Sequence, residues 1–409
     1  MQAILVVGIV IFTGFVFGEI AAKVKLPKVT GYILAGILLN PGLFNFIPQD
    51  FVDHTSLITN ISLAFITFSV GGTLLYSRIR KLGKGILCIT MCEAEFTFLA
   101  IVIGFLAITP FLIHPAGATW FTTFIPLSLL IGSLGSPTDP AATLAVAHEY
   151  KAKGDVSSTI MGVAALDDVT GIINYSVAIA IAGIFILHQS FNLYSSILNP
   201  LVVIGGAIIL GIAFGFLFNL ITLFVRGETE GVFIVLILAL LALCFGMAAL
   251  LGFDELLATM TMGITVVNYN PRRDKIFKIL ERYTEQLIFV LFFTLSGMHL
   301  KFSVLSTYYI LVLLFIIFRA VGKVSGTMLG ASISKSSTMV KKYAAGGLIP
   351  QGGIVIGLAL LIKQNPAFDG ISDIIINVIL GATIVHEIIG PILAKIALKK
   401  AGEIKESGK

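Results

Sequence analysis

Long apolar segments, separated by short polar loops, follow one another along almost the whole chain. The hydropathy pattern predicts about thirteen membrane-spanning helices, since a bilayer crossing takes roughly 20 apolar residues. Their approximate limits are 3–22, 29–40, 55–76, 86–109, 120–148, 157–184, 198–225, 230–250, 254–268, 284–298, 304–330, 340–363 and 374–398. The second and ninth segments are short, and prolines or glycines interrupt the fifth and the twelfth. The pattern therefore predicts an all-α polytopic membrane protein.

Composition supports this prediction and excludes other classes. Of the 409 residues, 57% are hydrophobic and only 12% are charged, against about 25% charged in soluble proteins. The net charge of +5 raises the question of a nucleic-acid partner, but the basic residues lie in short loops, which membrane topology explains better. Cys88, Cys92 and Cys244 lie in apolar segments without the spacing of metal ligands. We expect buried thiols, no cofactor and no nucleic acid.

The distribution of Lys and Arg predicts the orientation in the membrane. Successive loops lie on opposite sides of the membrane. If the first loop, residues 23–28, faces the cytoplasm, the outside loops contain only two basic residues, Lys301 and Lys363. Arg319 and Lys323 lie within an apolar segment, and all other basic residues fall inside. Because positive charge concentrates in cytoplasmic loops, we expect an outside N-terminus and a cytoplasmic C-terminus.

A weak internal repeat relates the two interrupted segments. Aligning Pro137 with Pro350 superposes residues from about 1–184 on residues from about 230–398, and leaves a connector helix at about 198–225. Inverted repeats with broken helices at matching positions are the best sequence indication of a transporter's binding site. We expect a single membrane domain over residues 1–409, without a soluble regulatory domain.

Two adjacent carboxylates, Asp167 and Asp168, lie near the middle of the sixth segment. At about 1.5 Å per residue this places them close to the bilayer midplane. A charge there costs roughly 2.5–3.5 kcal/mol, and neighbouring carboxylates resist ionising together. A membrane protein retains such a pair only where water, a cation or a basic group compensates it.

The two interruptions supply further candidate ligands. Pro137 removes a backbone donor beside Thr138 and Asp139, and the glycines around Pro350 and Gln351 interrupt the twelfth segment similarly. Unwound backbone at membrane depth is tolerated only against protein or a wet cavity, so its carbonyl groups can bind an ion. The alternative is that these residues merely kink the two helices.

Four other charged residues lie at membrane depth. Arg319 is too deep to reach water easily and needs a negative partner, for which the paired aspartates are the obvious candidates. Lys323 lies one turn further along, and either lines an inner funnel or extends towards the headgroups. Glu93 or Glu95, in the fourth segment, either pairs with one of these bases or stays protonated or locally hydrogen-bonded.

Four motifs follow one another along essentially the whole chain. They are the opening stretch Lys25–Leu39, the Ser136–Pro140 break, the pair Asp167-Asp168, and Arg319–Gly322 followed by the glycine-rich residues 346–353. In this order, they resemble the motifs of the monovalent cation–proton antiporter superfamily, in its Kef and NapA-like branch.

The resemblance implies an NhaA-type fold with a dimerisation domain and a mobile core domain, a homodimer, and a place in the cell membrane. It implies that Asp168 is the essential carrier and binds Na⁺, and that Asp167 pairs with the basic residue Arg319. Thr138 and Asp139 would form the crossover of the broken helices. Paired aspartates resemble those of electrogenic sodium members.

We therefore expect a secondary transporter, not an enzyme, that exchanges Na⁺ or Li⁺ for H⁺ by alternating access, electrogenically if both aspartates titrate. If Asp167 stays ion-paired to Arg319, only one proton exchanges. A K⁺/H⁺ antiporter and a cation channel are the alternatives. An intramembrane aspartyl protease is disfavoured, because adjacent side chains on one helix point about 100° apart. The expected partners are a monovalent cation, protons and the lipid bilayer.

Overall fold

The computed structural model describes residues 3–44, 46–113, 118–187, 198–224, 230–299 and 303–404, and within these ranges all regular structure is helical. In the first half the α-helices are α1 Ala3–Lys23, α2 Lys28–Leu38, α3 Gln49–Asp53, α4 Ser56–Thr73, α5 Tyr76–Leu112, α6 Ile125–Ser133, α7 Pro140–Glu149, α8 Asp155–Leu187 and α9 Asn199–Phe224. In the second half they are α10 Glu230–Leu251, α11 Glu255–Tyr269, α12 Arg273–Tyr283, α13 Glu285–His299, α14 Ser303–Ile333, α15 Thr338–Tyr343, α16 Gly353–Gln364 and α17 Asp369–Lys400.

Among the described residues, eight helices are long and apolar enough to cross a membrane. They span Ala3–Lys23, Gln49–Thr73, Gly83–Leu112, Asp155–Ile186, Leu201–Leu223, Glu230–Leu251, Tyr308–Ile333 and Pro366–Lys400. The other predicted spans correspond to short or interrupted helices, so the count of thirteen crossings stays a prediction. At 11 residues and about 1.5 Å per residue, α2 is shorter than the hydrocarbon core.

Both predicted interruptions are present. The first helix pair breaks between Ser133, where α6 ends, and Pro140, where α7 begins. The second pair breaks after a 3₁₀ segment, Ala344–Leu348, and resumes as α16 at Gly353. In each break a proline lacks the N–H that a continuous helix needs, so the backbone leaves the helical path.

Two α-helices were not predicted, the five-residue α3 and α12. α12 lies in what the hydropathy pattern treats as a polar loop, because its sequence is rich in charge. Ile276, Ile279 and Leu280 are buried on one side, while Lys278 and Arg282 are exposed. The helix is amphipathic and short, a pattern that a search for long apolar spans does not detect.

The chain divides into two compact units. Unit 1 comprises Met1–Lys81, Pro140–Glu149 and Leu201–Leu300. Within it, short helices pack closely against others through glycine. A Cβ at Gly36 of α2 would meet the backbone of Thr294 in α13, and one at Gly263 of α11 would meet the backbone of Phe68 in α4. Such contacts let backbones approach where no hydrophobic effect drives helices together.

Unit 2 comprises Leu82–Asp139, Tyr150–Pro200 and Lys301–Lys409. Its apolar core includes Phe105 of α5, Leu130 of α6, Phe315 of α14 and Val378 of α17. The two interruptions and all the candidate site residues lie in this unit.

Glycines at every fourth position of α14 face the backbone of α5. Cβ atoms at Gly322, Gly326 and Gly330 would meet the backbone of Thr97, Cys92 and Ile89 respectively. This close approach brings the basic residues of α14 within reach of the acidic residues of α5.

Replacement of Gly326 by Ala should destabilise unit 2, because the new Cβ would lie 2.5 Å from the carbonyl oxygen of Cys92. Overpacking of this kind costs about 1–3 kcal/mol, so we expect a melting temperature several degrees lower for the purified protein in detergent. Gly357→Ala is the matched control, since nothing lies within 4 Å of its Cβ position. Equal melting temperatures for the two variants would contradict the close packing.

Candidate functional site

The two interruptions meet and hydrogen-bond to each other. The backbone N–H of Asp139 donates to the carbonyl oxygen of Pro350 at 3.0 Å. Residues 134–139 and 349–352 are both non-helical, so several of their carbonyl groups lack the partners that a helix would supply. The site is the set of side chains that satisfy these groups and the carboxylates beside them.

Arg319 binds both interruptions at once. Its Nε donates to the carbonyl of Gly135 at 2.9 Å, and its Nη2 to that of Pro137 at 2.9 Å. Its Nη1 donates to the carbonyl of Ile349 at 2.6 Å. These carbonyls follow the C-terminal ends of α6 and of the 3₁₀ segment, where the backbone is partially negative. A single buried guanidinium therefore joins the two breaks and compensates their helix ends.

This differs from the expected pairing of Arg319 with Asp167. In the structure, Asp167 forms an ion pair with Lys323. Lys323 is fully buried and does not extend towards the headgroups. The physical reason is the shape of the two cations. The rigid fork of a guanidinium suits several separate carbonyls, whereas a compact ammonium suits carboxylate oxygens.

The ammonium of Lys323 is surrounded by oxygen atoms. Its Nζ donates to the carbonyl of Ser136 at 2.5 Å and to Oγ1 of Thr138 at 2.7 Å. It lies 2.5 Å from Oε1 of Glu93 and 3.5 Å from Oδ2 of Asp167. The lysine is thus shared between two carboxylates and the first break.

Thr138 connects the break to α8. Its hydroxyl accepts from Lys323 and donates to Oδ2 of Asp167 at 2.5 Å. A hydroxyl can do both at once, which fixes the rotamer of Thr138 and holds the Asp167 carboxylate towards the crossing.

The paired aspartates have different surroundings. Asp167 is fully buried, whereas Asp168 is partly exposed. Adjacent helical residues point about 100° apart, so the two carboxylates cannot share one environment: Asp167 faces the crossing, and Asp168 is partly exposed although its Oδ1 is buried. α8 also needs Gly171 here, because a Cβ at that position would lie 2.5 Å from Cγ of Pro137.

The remaining predicted residues fall into two groups. Asp139 is at the crossing, because a Cβ atom at Gly352 would lie 2.9 Å from its Oδ2. Its carboxylate therefore lies next to the N-terminus of α16, where a negative charge is favourable. Glu93 is buried at the site, but Glu95 is exposed, because residues two apart lie on opposite sides of α5.

Gln351 lies in the second break and has a partner that the sequence analysis did not select. Its Nε2 donates to the carbonyl of Leu134 at 2.9 Å, and its Oε1 accepts from Nδ1 of His386 at 2.9 Å. The available signal was a histidine in the apolar thirteenth segment, but which residue it contacts depends on the tertiary fold.

Glu403 is a second unpredicted residue that acts on the site's scaffold. Its carboxylate accepts the backbone N–H groups of Val156 at 2.6 Å and Ser157 at 2.8 Å. These belong to the first turn of α8, so Glu403 caps the helix that carries the paired aspartates.

The oxygen atoms beside the crossing are of the type that a small hard cation prefers. They are the Asp167 carboxylate and the Thr138 hydroxyl, with the Asp168 carboxylate at the next position of α8. Among the described residues, no group of three or more His, Cys, Asp or Glu side chains is placed to hold a metal ion.

Arg319→Lys should weaken the crossing, because one ammonium cannot reach three separate carbonyls. Hydrogen bonds to charged groups are worth about 1.5–3 kcal/mol each, so we expect a clear loss of thermal stability in detergent. Arg282→Lys, at an exposed position, is the matched control. Identical unfolding curves for the two variants would show that the guanidinium does not hold the breaks together.

Known proteins resemble this chain over most of its length. Na(+)/H(+) antiporter 1 of Methanocaldococcus jannaschii is 27% identical over 379 residues, covering 88% of this chain and 84% of that protein. Ammonium/H(+) antiporter subunit AmhT of Alkalihalophilus pseudofirmus is 22% identical over 357 residues, covering 87% and 85% respectively.

Two solved structures of the sodium proton antiporter MjNhaP1 from Methanocaldococcus jannaschii have a similar fold, both at 23% sequence identity. One has a TM-score of 0.72 and covers 97% of this chain and 98% of that chain; the other has a TM-score of 0.76 and covers 100% of both. The family description of the transmembrane sodium/hydrogen exchangers matches residues 7–400. The chain therefore belongs to the sodium/hydrogen exchanger family.

Proposed function

We propose that this protein exchanges Na⁺ or Li⁺ for H⁺ across a membrane by alternating access. The observation that carries the proposal is the position of Asp168. Asp168 is a partly exposed residue of α8 with one buried carboxylate oxygen, Oδ1, and it lies next to the fully buried Asp167, which Thr138 ties to the crossing of the two interruptions. A group that must meet water and the buried site in turn requires such a position.

The chemistry is competition for carboxylate oxygen. A cation that has lost its water needs hard oxygen ligands, and a protonated carboxylate offers them poorly. A proton and a cation therefore exclude each other at Asp168. If the site opens to one side at a time, that exclusion couples the two fluxes in opposite directions.

The candidate residues at the crossing and on α8 have four roles in this proposal. Asp168 carries the cation or the proton, and Asp167 and Thr138 contribute further oxygen ligands. Arg319 holds the two breaks in place. A last group shapes the crossing around the ion, namely Pro137, Asp139, Pro350 and Gln351.

The architecture that we propose has about thirteen membrane crossings in two inverted repeats, at about 1–184 and 230–398, with the connector between them. Close glycine contacts of α2 and α11 with longer or neighbouring helices support membrane positions for these short helices. The concentration of Lys and Arg supports a cytoplasmic C-terminus in the cell membrane. The homodimer rests on the family resemblance alone.

A different monovalent cation is the second candidate. The relative from Alkalihalophilus pseudofirmus is named an ammonium/H(+) antiporter subunit, so relatives of similar coverage differ in the ion they are named for. Ammonium and K⁺ are close in size and larger than Na⁺. The paired aspartates favour the smaller, harder ion.

Asp168→Asn should abolish cation-dependent proton movement in everted vesicles or proteoliposomes, because an amide neither carries the charge nor takes the proton. Asp155→Asn, an exposed change on the same helix, is the control and should retain exchange. Wild-type exchange by the Asp168 variant would refute the assignment of the carrier.

A titration with different cations separates the two candidates. Reconstituted protein should respond to Na⁺ and Li⁺ at concentrations at least about tenfold lower than to K⁺ or NH₄⁺, because small ions bind carboxylate oxygen more strongly. Dequenching of a pH-sensitive dye measures the response. Half-maximal dequenching at lower K⁺ or NH₄⁺ than Na⁺ would favour the second candidate.

A further inference from the structure

Four consecutive backbone carbonyl groups of the first interruption, at residues 134–137, each accept a hydrogen bond from a side chain. Two cations of α14, Arg319 and Lys323, donate to the last three of these groups. The first group is different. The carbonyl of Leu134 accepts from Nε2 of Gln351, a neutral amide of the second interruption, at 2.9 Å. This amide therefore links the two interruptions directly.

The amide of Gln351 can make this bond in only one of its two orientations. A carbonyl oxygen only accepts, so the amide nitrogen must face Leu134 and the amide oxygen must face away from it. That oxygen, Oε1, lies 2.9 Å from Nδ1 of His386 on α17. Because Oε1 also only accepts, Nδ1 of His386 must carry a proton and donate it. With the amide reversed, two acceptor oxygens would face each other at Leu134.

Burial makes this orientation matter. The relative exposure is 0% for Leu134 and Gln351 and 2% for His386. A buried polar group that loses its partner costs about 1–3 kcal/mol, because water does not replace the lost bond. The proton on Nδ1 of His386 therefore selects the amide orientation that binds Leu134.

Helix α17 holds the histidine ring in place beside the second interruption. Gly390 follows His386 by one turn on the same face, and a Cβ there would lie 2.9 Å from Cα of Pro350. The ring of Phe315 lies 6.4 Å from the His386 ring, measured between centroids. One face of α17 thus lies along the second interruption, and His386 is its hydrogen-bond donor to Gln351.

We propose that His386 is a positioning residue for the exchange, and that it holds the two interruptions together through the amide of Gln351. The proposal rests on the proposed function, because the first interruption carries Thr138, a proposed ligand of the cation. His386 acts through Gln351 and not on the ion itself. Its proton fixes the amide, and the amide fixes the start of the interruption that presents Thr138 to Asp167.

Loss of the donor should weaken cation binding more than it slows turnover. Groups that orient the ligands of a metal ion change its affinity about 10–100-fold when they are removed, so we expect an increase in the KM for Na⁺ at little change in kcat. A merely structural role would have a different signature. It would lower the amount of folded transporter, and hence the maximal rate, at an unchanged KM.

The test is a Na⁺ titration of variants of the full chain in proteoliposomes, followed by dequenching of a pH-sensitive dye. His386→Leu removes the donor and should raise the KM at least about tenfold. His386→Asn should keep the wild-type KM, because its amide nitrogen can take the position of Nδ1. His386→Gln places its amide nitrogen nearer the position of Nε2 and should resemble His386→Leu.

His54→Leu is the matched control, since it makes the same change at an exposed histidine of unit 1 and should leave the KM unchanged. A wild-type KM in His386→Leu would overturn the proposal. If His386→Leu does not fold, the Asn and Gln variants decide, and equal KM values for these two would overturn it.

A double-mutant cycle tests whether His386 acts through Gln351. Gln351→Met removes the amide but keeps a side chain of similar length, and it should raise the KM about as much as His386→Leu. The double variant should be no worse than either single variant, because both changes break the same link. Additive effects would refute this route.

Failure of the exchange itself would be seen separately. If the wild-type protein moves no protons in response to Na⁺, the proposed function is refuted. The same cycle, measured as melting temperatures in detergent, then decides the link between His386 and Gln351. Non-additive losses of stability would support the link, and additive losses would refute it.

Discussion

The guanidinium of Arg319 is the interaction on which unit 2 depends. Each broken helix leaves carbonyl groups without helical partners, and an unsatisfied polar group in hydrocarbon costs several kcal/mol. One side chain donates to three of these groups, from Gly135, Pro137 and Ile349. The breaks can exist at membrane depth because the same cation satisfies both. Without it, these carbonyl groups would lose their charged donor, and the prolines would still prevent a continuous helix from satisfying them.

Balanced charge follows from close helix packing. Lys323 reaches Glu93 only because the glycines of α14 let its backbone touch that of α5. The glycines of α14 carry no charge, yet they determine which charged side chains can meet. A wider separation of the two helices would leave one acid and one base in the apolar interior, each uncompensated. Small residues and buried charges are thus parts of a single arrangement.

Much of this arrangement could be predicted from the sequence. Pro137 and Pro350 mark both interruptions, and a run of apolar residues around Asp167 and Asp168 fixes their depth. The sequence could not say which base meets which acid. Arg319 and Lys323 are four residues apart on the same helix face, so either could reach α8 by spacing alone. The actual choice depends on the positions of carbonyl groups, which only the folded backbone defines.

Contacts between distant parts of the chain were beyond prediction for the same reason. His386 and Glu403 carry no local motif, and their roles arise from where α17 ends and packs. The hydropathy pattern missed α12 because this helix is short and amphipathic, and its many charged residues are typical of a loop.

The capping contact of Glu403 has a consequence for biosynthesis. A chain emerges from the ribosome N-terminal end first, so α8 is synthesised well before the carboxylate that closes its first turn exists. The first interruption likewise precedes Arg319 by most of unit 2. The region of the paired aspartates and the first interruption must therefore pass through the insertion machinery with its polar groups temporarily satisfied by other partners. It can reach its final form only after almost the entire polypeptide has entered the bilayer.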